Sequence, residues 1–122
     1  MKFLVVDDSP TMRRIVTNAL REIGYEDVEE AGDGEEALKT LNAGSFDFLV
    51  TDWNMPNMNG LELTQTVRQH DTYHEMPILM VTTRGMKEDV VAAMQAKVNN
   101  YVVKPFTPEV LREKIDMILK IA

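Results

Sequence analysis

The chain of 122 residues contains no cysteine. That excludes a disulfide frame, a thiolate metal site and a cysteine nucleophile. Positive charge is also in short supply: 13 Lys and Arg stand against 20 Asp and Glu, for a net charge of −7. A surface of that sign repels phosphate backbones, so no nucleic acid is expected as a direct partner. Long apolar runs are missing too. The four apolar residues between Lys2 and Asp7 are too few for a signal-peptide core, and nothing approaches a membrane span. The expected address is the cytoplasm, with no membrane partner. There are only 6 Gly and 5 Pro, and they fall singly between patterned segments rather than in a linker. A single domain over residues 1–122, with no output domain, is the expectation.

What the chain does have is alternation. Phe3 to Val6 is an apolar run. Ser9-Pro10 then supplies an N-cap and a proline at the first helical position. Met12, Ile15, Val16, Ala19, Leu20 and Ile23 follow at helical spacing until Gly24. Tyr25–Glu30 reads as a weaker strand, either at a sheet edge or half exposed, with Val28 among acids. Asp33-Gly34-Glu35-Glu36 opens a second helix by a capping-box pattern. Phe46–Thr51 is a third strand, Leu61–Gln69 a third helix and Pro77–Val81 a fourth strand. A fourth helix over Lys87–Ala96 is given Val90, Val91 and Met94 as its apolar face. Asn99 and Asn100 are expected to take the left-handed turn at its exit. Tyr101–Val103 is the fifth strand, and Thr107-Pro108 caps a last helix lined by Val110, Leu111, Ile115, Ile118 and Leu119. Five βα repeats of this kind predict an α/β fold, with a parallel sheet covered by helices on both faces.

Parallel α/β sheets place their sites beyond the carboxyl ends of the strands. Four of the five ends carry chemistry: Asp7-Asp8, Asp52, Thr82 and Lys104. Two adjacent carboxylates about 5 Å apart repel by roughly 3 kcal/mol at an effective dielectric near 20. A hard divalent cation offsets that repulsion, and Mg²⁺ favours a few carboxylates with water and phosphate oxygen. The Lys104 ammonium and the Thr82 hydroxyl suit a phosphoryl group, so the set reads as an electrostatic clamp on phosphoryl transfer. Asp52 then reads as the nucleophile and Asp7 and Asp8 as metal holders.

The segments VVDDSPTMRR, DWNMPNMNG, Val81-Thr82 and YVVKPFT resemble the receiver domain of two-component response regulators, over essentially the whole chain and in order. They are most similar to its single-domain chemotaxis members. The resemblance implies a doubly wound, flavodoxin-like fold of strand order 2-1-3-4-5. It implies that Asp52 accepts a phosphoryl group from a CheA-like sensor histidine kinase. It implies that Asp8, Asp52 and the backbone carbonyl of Asn54 hold Mg²⁺, with Asp7 acting through water. Thr82 and Lys104 would contact the phosphoryl group, and the Lys104-Pro105 peptide would be cis. Thr82 and Tyr101 would form the switch, with Tyr101 swinging inward. A partner face built on Val90, Tyr101, Val103 and Lys114 would then bind a FliM-like flagellar motor switch protein, and a phosphatase would be a further partner. Nothing in this implies turnover of an external substrate.

Three departures from the family pattern stand out. Lys97 replaces a glycine near the end of the fourth helix. Arg84 stands where the familiar pattern has an acid, at a position that with Asn54 tunes hydrolysis of the aspartyl phosphate, so a different phosphoryl lifetime is expected. Ser9 replaces an aromatic, so a more open rim is expected. Plainer readings attach to other residues. Trp53 reads as partly exposed packing, Arg13-Arg14 as a solvated helix face, and His70 and His74 as loop residues rather than metal ligands. The rival functions are a phosphorelay shuttle or phosphate sink, a Mg²⁺-dependent phosphohydrolase and a flavin-binding module. Asn54 stands where the phosphohydrolase would need a second Asp, and Asp7-Asp8 would repel a flavin phosphate.

Overall fold

The computed structural model describes residues 1–120. Its elements run β1 (Phe3–Val6), α1 (Pro10–Glu22), β2 (Val28–Ala31), α2 (Gly34–Ala43), β3 (Phe48–Thr51), α3 (Gly60–Arg68), β4 (Ile78–Thr82), α4 (Lys87–Gln95), β5 (Asn100–Val103) and α5 (Pro108–Leu119). All pairings are parallel and the strand order is β2-β1-β3-β4-β5, as the family resemblance implies. The three central strands are buried along their whole length, and the edges β2 and β5 are not.

Strand alternation sorts the core into two layers. Leu4 and Val6 of β1 join Leu49, Ile78 and Met80 under α2, α3 and α4. Phe3 and Val5 join Phe48, Val50, Leu79 and Val81 under α1 and α5, where Leu20, Leu111 and Ile115 close the layer. Each large side chain buried this way contributes roughly 2–3 kcal/mol, so the sheet is held from both faces.

The caps at Ser9, Asp33 and Thr107 follow the sequence, but the box expected at Asp33 lacks the return bond to the Glu36 side chain, and the reciprocal box forms at α3 instead. Ser9, Asp33, Asn59 and Thr107 accept N–H bonds at the starts of α1, α2, α3 and α5, and at α3 the Asn59–Glu62 pair forms a reciprocal capping box. At α4 the N-cap is Met86, which makes no side-chain capping bond.

Several expectations on this side of the molecule are corrected. Val91 (44% exposed) and Met94 (47%) face outward, and the fully buried residue of α4 is Ala93. A short helix against an edge strand needs a small residue for close approach, which the spacing of larger apolar residues hides. The left-handed residue after α4 is Lys97, at φ 74°, not Asn99 or Asn100. Asn100 is in β5, and the Asn99 Oδ1 accepts from the Ile78 N–H and from Arg68. Lys97 therefore takes the strained position itself, where a glycine would carry no Cβ penalty.

Candidate functional site

Parallel register builds the site. Val6 pairs with Thr51 across β1 and β3, so the next residues, Asp7 and Asp52, emerge side by side. The Asp52 N–H donates to the Val6 carbonyl at 2.9 Å, and the Asp7 N–H donates to Ala31 at 3.2 Å. One carboxylate oxygen from each of Asp7, Asp8 and Asp52 lies within 4.8 Å of the others. Asp7 is buried, Asp52 is half-buried and Asp8 is exposed. The Lys104 N–H donates to the Thr82 carbonyl at 2.8 Å, which seats Lys104 at the end of β5. Its Nζ then lies 2.8 Å from Asp7 Oδ2 and 3.2 Å from Asp52 Oδ2. The Lys104-Pro105 peptide is cis.

A cleft of about 480 Å³ opens above these groups. Asp7, Asp8, Asp52, Thr83 and Lys104 form its polar end, and Met12, Ile15, Pro105 and Phe106 its apolar side. The donor set fits a hard divalent cation: converging carboxylate oxygens, one of them open to water, with no sulfur or imidazole. Among the described residues this is the only such cluster of acidic or histidine ligands, and it includes neither His70 nor His74. His70 stacks on Tyr73 with ring centroids 3.7 Å apart, and its Nδ1 accepts from the Thr72 N–H.

The predicted residues do not all meet. Asp7, Asp8, Asp52 and Lys104 converge, but Thr82 is fully buried and its Oγ accepts from the Arg84 N–H at 3.3 Å. The neighbouring Thr83 lines the cleft instead. Asn54 is exposed, and its Oδ1 accepts from Arg84 Nη1 at 3.2 Å. Tyr101 already lies inward, and its hydroxyl donates to the Arg84 carbonyl at 2.6 Å. Burial is the main cause that pushes the phenol up to about 12, followed by the negative charge of Asp89. Along the expected partner face Val103 is exposed, Val90 and Lys114 are half-buried, and Tyr101 is withdrawn.

Two plain readings fail. Trp53 is buried, at 7% exposure, with the Arg84 guanidinium 4.3 Å over its ring. Arg13 is no solvated bystander: Nη1 donates to the Asp7 carbonyl at 2.7 Å and Nε pairs with Glu30 at 3.1 Å. Arg14 is exposed as expected. Ser9 is occupied as a cap, and its backbone N–H donates to Asp7 Oδ1 at 2.9 Å.

Sequence reasoning also missed the scaffold of the acceptor loop. At Gly60 a Cβ would lie 1.9 Å from the Asp52 carbonyl oxygen. At Gly34 it would lie 2.6 Å from the Met58 side chain. Gly60 donates to the Trp53 carbonyl at 2.8 Å and Gly34 to Met58 at 3.1 Å, so both glycines pull the loop after Asp52 against helix starts. The available signal was the pairing of each glycine with a helix cap one residue earlier, Asn59 and Asp33.

Comparison with known proteins agrees with this geometry. The response regulator receiver domain model matches residues 3–116. The chain is 56% identical to chemotaxis protein CheY1 of Helicobacter pylori over 98% of its own length and 97% of the relative's. Among solved structures, Vibrio cholerae chemotaxis protein CheY4 superposes with a TM-score of 0.88 at 39% identity, covering 96% of this chain and 97% of that one. The receiver domain of sensor histidine kinase PA1611 from Pseudomonas aeruginosa has a TM-score of 0.87 at 25% identity, covering 98% and 97%. It was solved with a magnesium ion coordinated in its active-site cleft. With acids at the ends of β1 and β3, a lysine at the end of β5 and this likeness along nearly its whole length, the chain belongs to the response regulator receiver domain family, among its CheY-like chemotaxis members.

Proposed function

We propose that the chain is a phosphorylation switch for chemotaxis, with Asp52 as the phosphoryl acceptor. The observation that carries this is the convergence of three carboxylates within 4.8 Å of one another, two of them paired with the Lys104 ammonium. An Asp52 carboxylate oxygen attacks the phosphorus of a phosphohistidine on a CheA-like kinase. The P–N bond breaks, and the imidazole leaves with the electron pair and takes up a proton. Lys104 supplies a positive charge for the transferred oxygens and keeps Asp52 from being repelled by Asp7. Asp7, Asp8, Asp52 and the Asn54 carbonyl are the residues that would hold Mg²⁺, which when bound neutralises phosphoryl charge. Thr82 has to turn its hydroxyl from the Arg84 N–H to reach the phosphoryl group.

The new group carries about −1.5 to −2 charge. A shift from 1:99 to 99:1 between two forms of the switch needs roughly 5.5 kcal/mol of differential stabilisation. Charge-assisted contacts from Lys104 and Thr82 are of the right type to supply part of it. The output is a protein contact at Val90, Tyr101, Val103 and Lys114, with a FliM-like motor switch as the partner. Asn54 and Arg84 tune loss of the phosphoryl group, with a phosphatase as a further partner. The test is mass spectrometry after Mg²⁺ and acetyl phosphate. A single phosphoryl adduct, absent in Asp52→Asn, is expected; an adduct that persists in Asp52→Asn places the acceptor elsewhere. Binding to a motor-switch peptide only after beryllofluoride treatment separates the motor output from a phosphate sink.

A further inference from the structure

Arg84 lies between the acceptor loop and the inward tyrosine, and it touches both. Its guanidinium sits 4.3 Å over the Trp53 ring, beside Asp52. Nη1 donates to Asn54 at 3.2 Å, and Nη2 pairs with Asp89 of α4 at 2.9 Å. The Asp89 side chain is 18% exposed and that of Arg84 38%, so the pair joins a mostly buried carboxylate to a guanidinium that solvent still reaches. The backbone of Arg84 is engaged as well: its N–H donates to Thr82 Oγ and its carbonyl accepts the Tyr101 hydroxyl at 2.6 Å.

The surrounding segment has few other anchors. Thr83, Gly85, Met86, Lys87 and Glu88 are exposed, and α4 starts without a side-chain cap. Arg84 is the one half-buried residue in this run. A planar guanidinium can stack on an indole and direct two N–H groups to separate acceptors, which an ammonium cannot do in the same geometry. The clamp is not fully satisfied, because Arg84 Nε–H is buried with no acceptor among the described residues.

We propose that Arg84 is a positioning residue: its clamp on Trp53, Asn54 and Asp89 holds the 83–86 segment so that the Arg84 carbonyl captures the Tyr101 hydroxyl, which keeps Tyr101 inward before any phosphoryl group arrives. The signalling meaning rests on the proposed role of Tyr101 as the switch, whereas the clamp is a property of the resting fold. A charge change at Asp52 then reaches Tyr101 by two routes, through Thr82 and through the Asn54–Arg84 contact.

The experiment uses the full chain with its three tyrosines replaced by 3-fluorotyrosine, without Mg²⁺ or phosphodonor. The Tyr101 fluorine resonance is assigned with Tyr101→Phe, and its exposure is read with a soluble paramagnetic chelate. Trp53 emission reports whether the guanidinium has left the ring. In Arg84→Met the outward population of Tyr101 rises roughly tenfold, as expected for loss of charge-assisted contacts. Asp89→Asn, a milder change that keeps Arg84, moves it in the same direction, and Arg84→Lys does not restore it. If Trp53 emission changes in Arg84→Met while the Tyr101 resonance and its protection stay as in the wild type, the proposal is overturned. Should Arg84→Met fail to fold, an unshifted Tyr101 in Asp89→Asn overturns it equally. Failure of Asp52 to accept a phosphoryl group would defeat the proposed function and leave this result unaffected.

Discussion

Replacing Lys104 with methionine removes one charge from a cluster of four. At 2.8 and 3.2 Å the ammonium attracts Asp7 and Asp52, by about 5–6 kcal/mol each at an effective dielectric near 20. Three carboxylates within 4.8 Å repel one another by at least about 3.5 kcal/mol per pair on the same scale. The two sets are of similar size, so the lysine roughly balances the acids in the metal-free protein. Without it, Asp7 keeps a buried and uncompensated charge. Breaking a buried pair in this way costs about 3–5 kcal/mol, and water entry through the open cleft brings the expected loss toward the lower end. Bound Mg²⁺ should replace the missing charge, and it no longer competes with the lysine. Urea unfolding with and without Mg²⁺ checks this. We expect Lys104→Met to lose about 3 kcal/mol without metal and to gain more from Mg²⁺ than the wild type, where about 2.7 kcal/mol comes from metal at roughly a hundred times its Kd. An unchanged midpoint without metal, or an equal Mg²⁺ gain in both proteins, would refute the charge-balance argument.

Gly60→Ala drives a Cβ into the Asp52 backbone at 1.9 Å, so a loss of about 3 kcal/mol or more is expected, together with weaker Mg²⁺ binding followed by Trp53 emission. A variant as stable as the parent, with the same affinity, would mean that the loop yields freely. The Tyr101 phenol is raised from 10.0 to about 12, chiefly by burial. Because the folded value is the higher one, its contribution is intact below pH about 10 and is lost as pH rises through about 12. Tyrosinate absorbance should therefore show a late-titrating group that vanishes in Tyr101→Phe. Arg84→Glu places an acid beside Asp89 and Asn54 and should change the lifetime of the aspartyl phosphate several-fold; an identical dephosphorylation rate would remove Arg84 from that role.

The reach of the sequence differs from element to element. Five apolar runs, four of them ending in Asp7-Asp8, Asp52, Thr82 and Lys104, were enough to predict a parallel sheet with a charged end, because strand burial and strand termini are local in sequence. The caps at Ser9, Asp33 and Thr107 were legible for the same reason. Strand order came with the resemblance and not with the periodicity, since βα repeats of equal length do not say which strands adjoin. Boundaries moved where side-chain patterns overlap turns: β2 begins at Val28, not at Tyr25, and β3 at Phe48, not at Phe46.

The type of chemistry at each strand end was therefore determined by the sequence alone: acids that suit a hard cation, a lysine that suits a phosphoryl group, and no thiol. Tertiary structure decided which of these groups meet and which are held back. Packing turned Ala93 inward and left Val91 and Met94 in solvent, because α4 lies on a strand edge that admits a small residue. It buried Trp53 under Arg84, tied Arg13 to the Asp7 carbonyl, and turned Thr82 and Tyr101 toward the backbone of Arg84. Such contacts join residues distant in sequence through side-chain reach and competition for donors and acceptors. No local pattern encodes that competition, so it is settled only once the whole chain is folded.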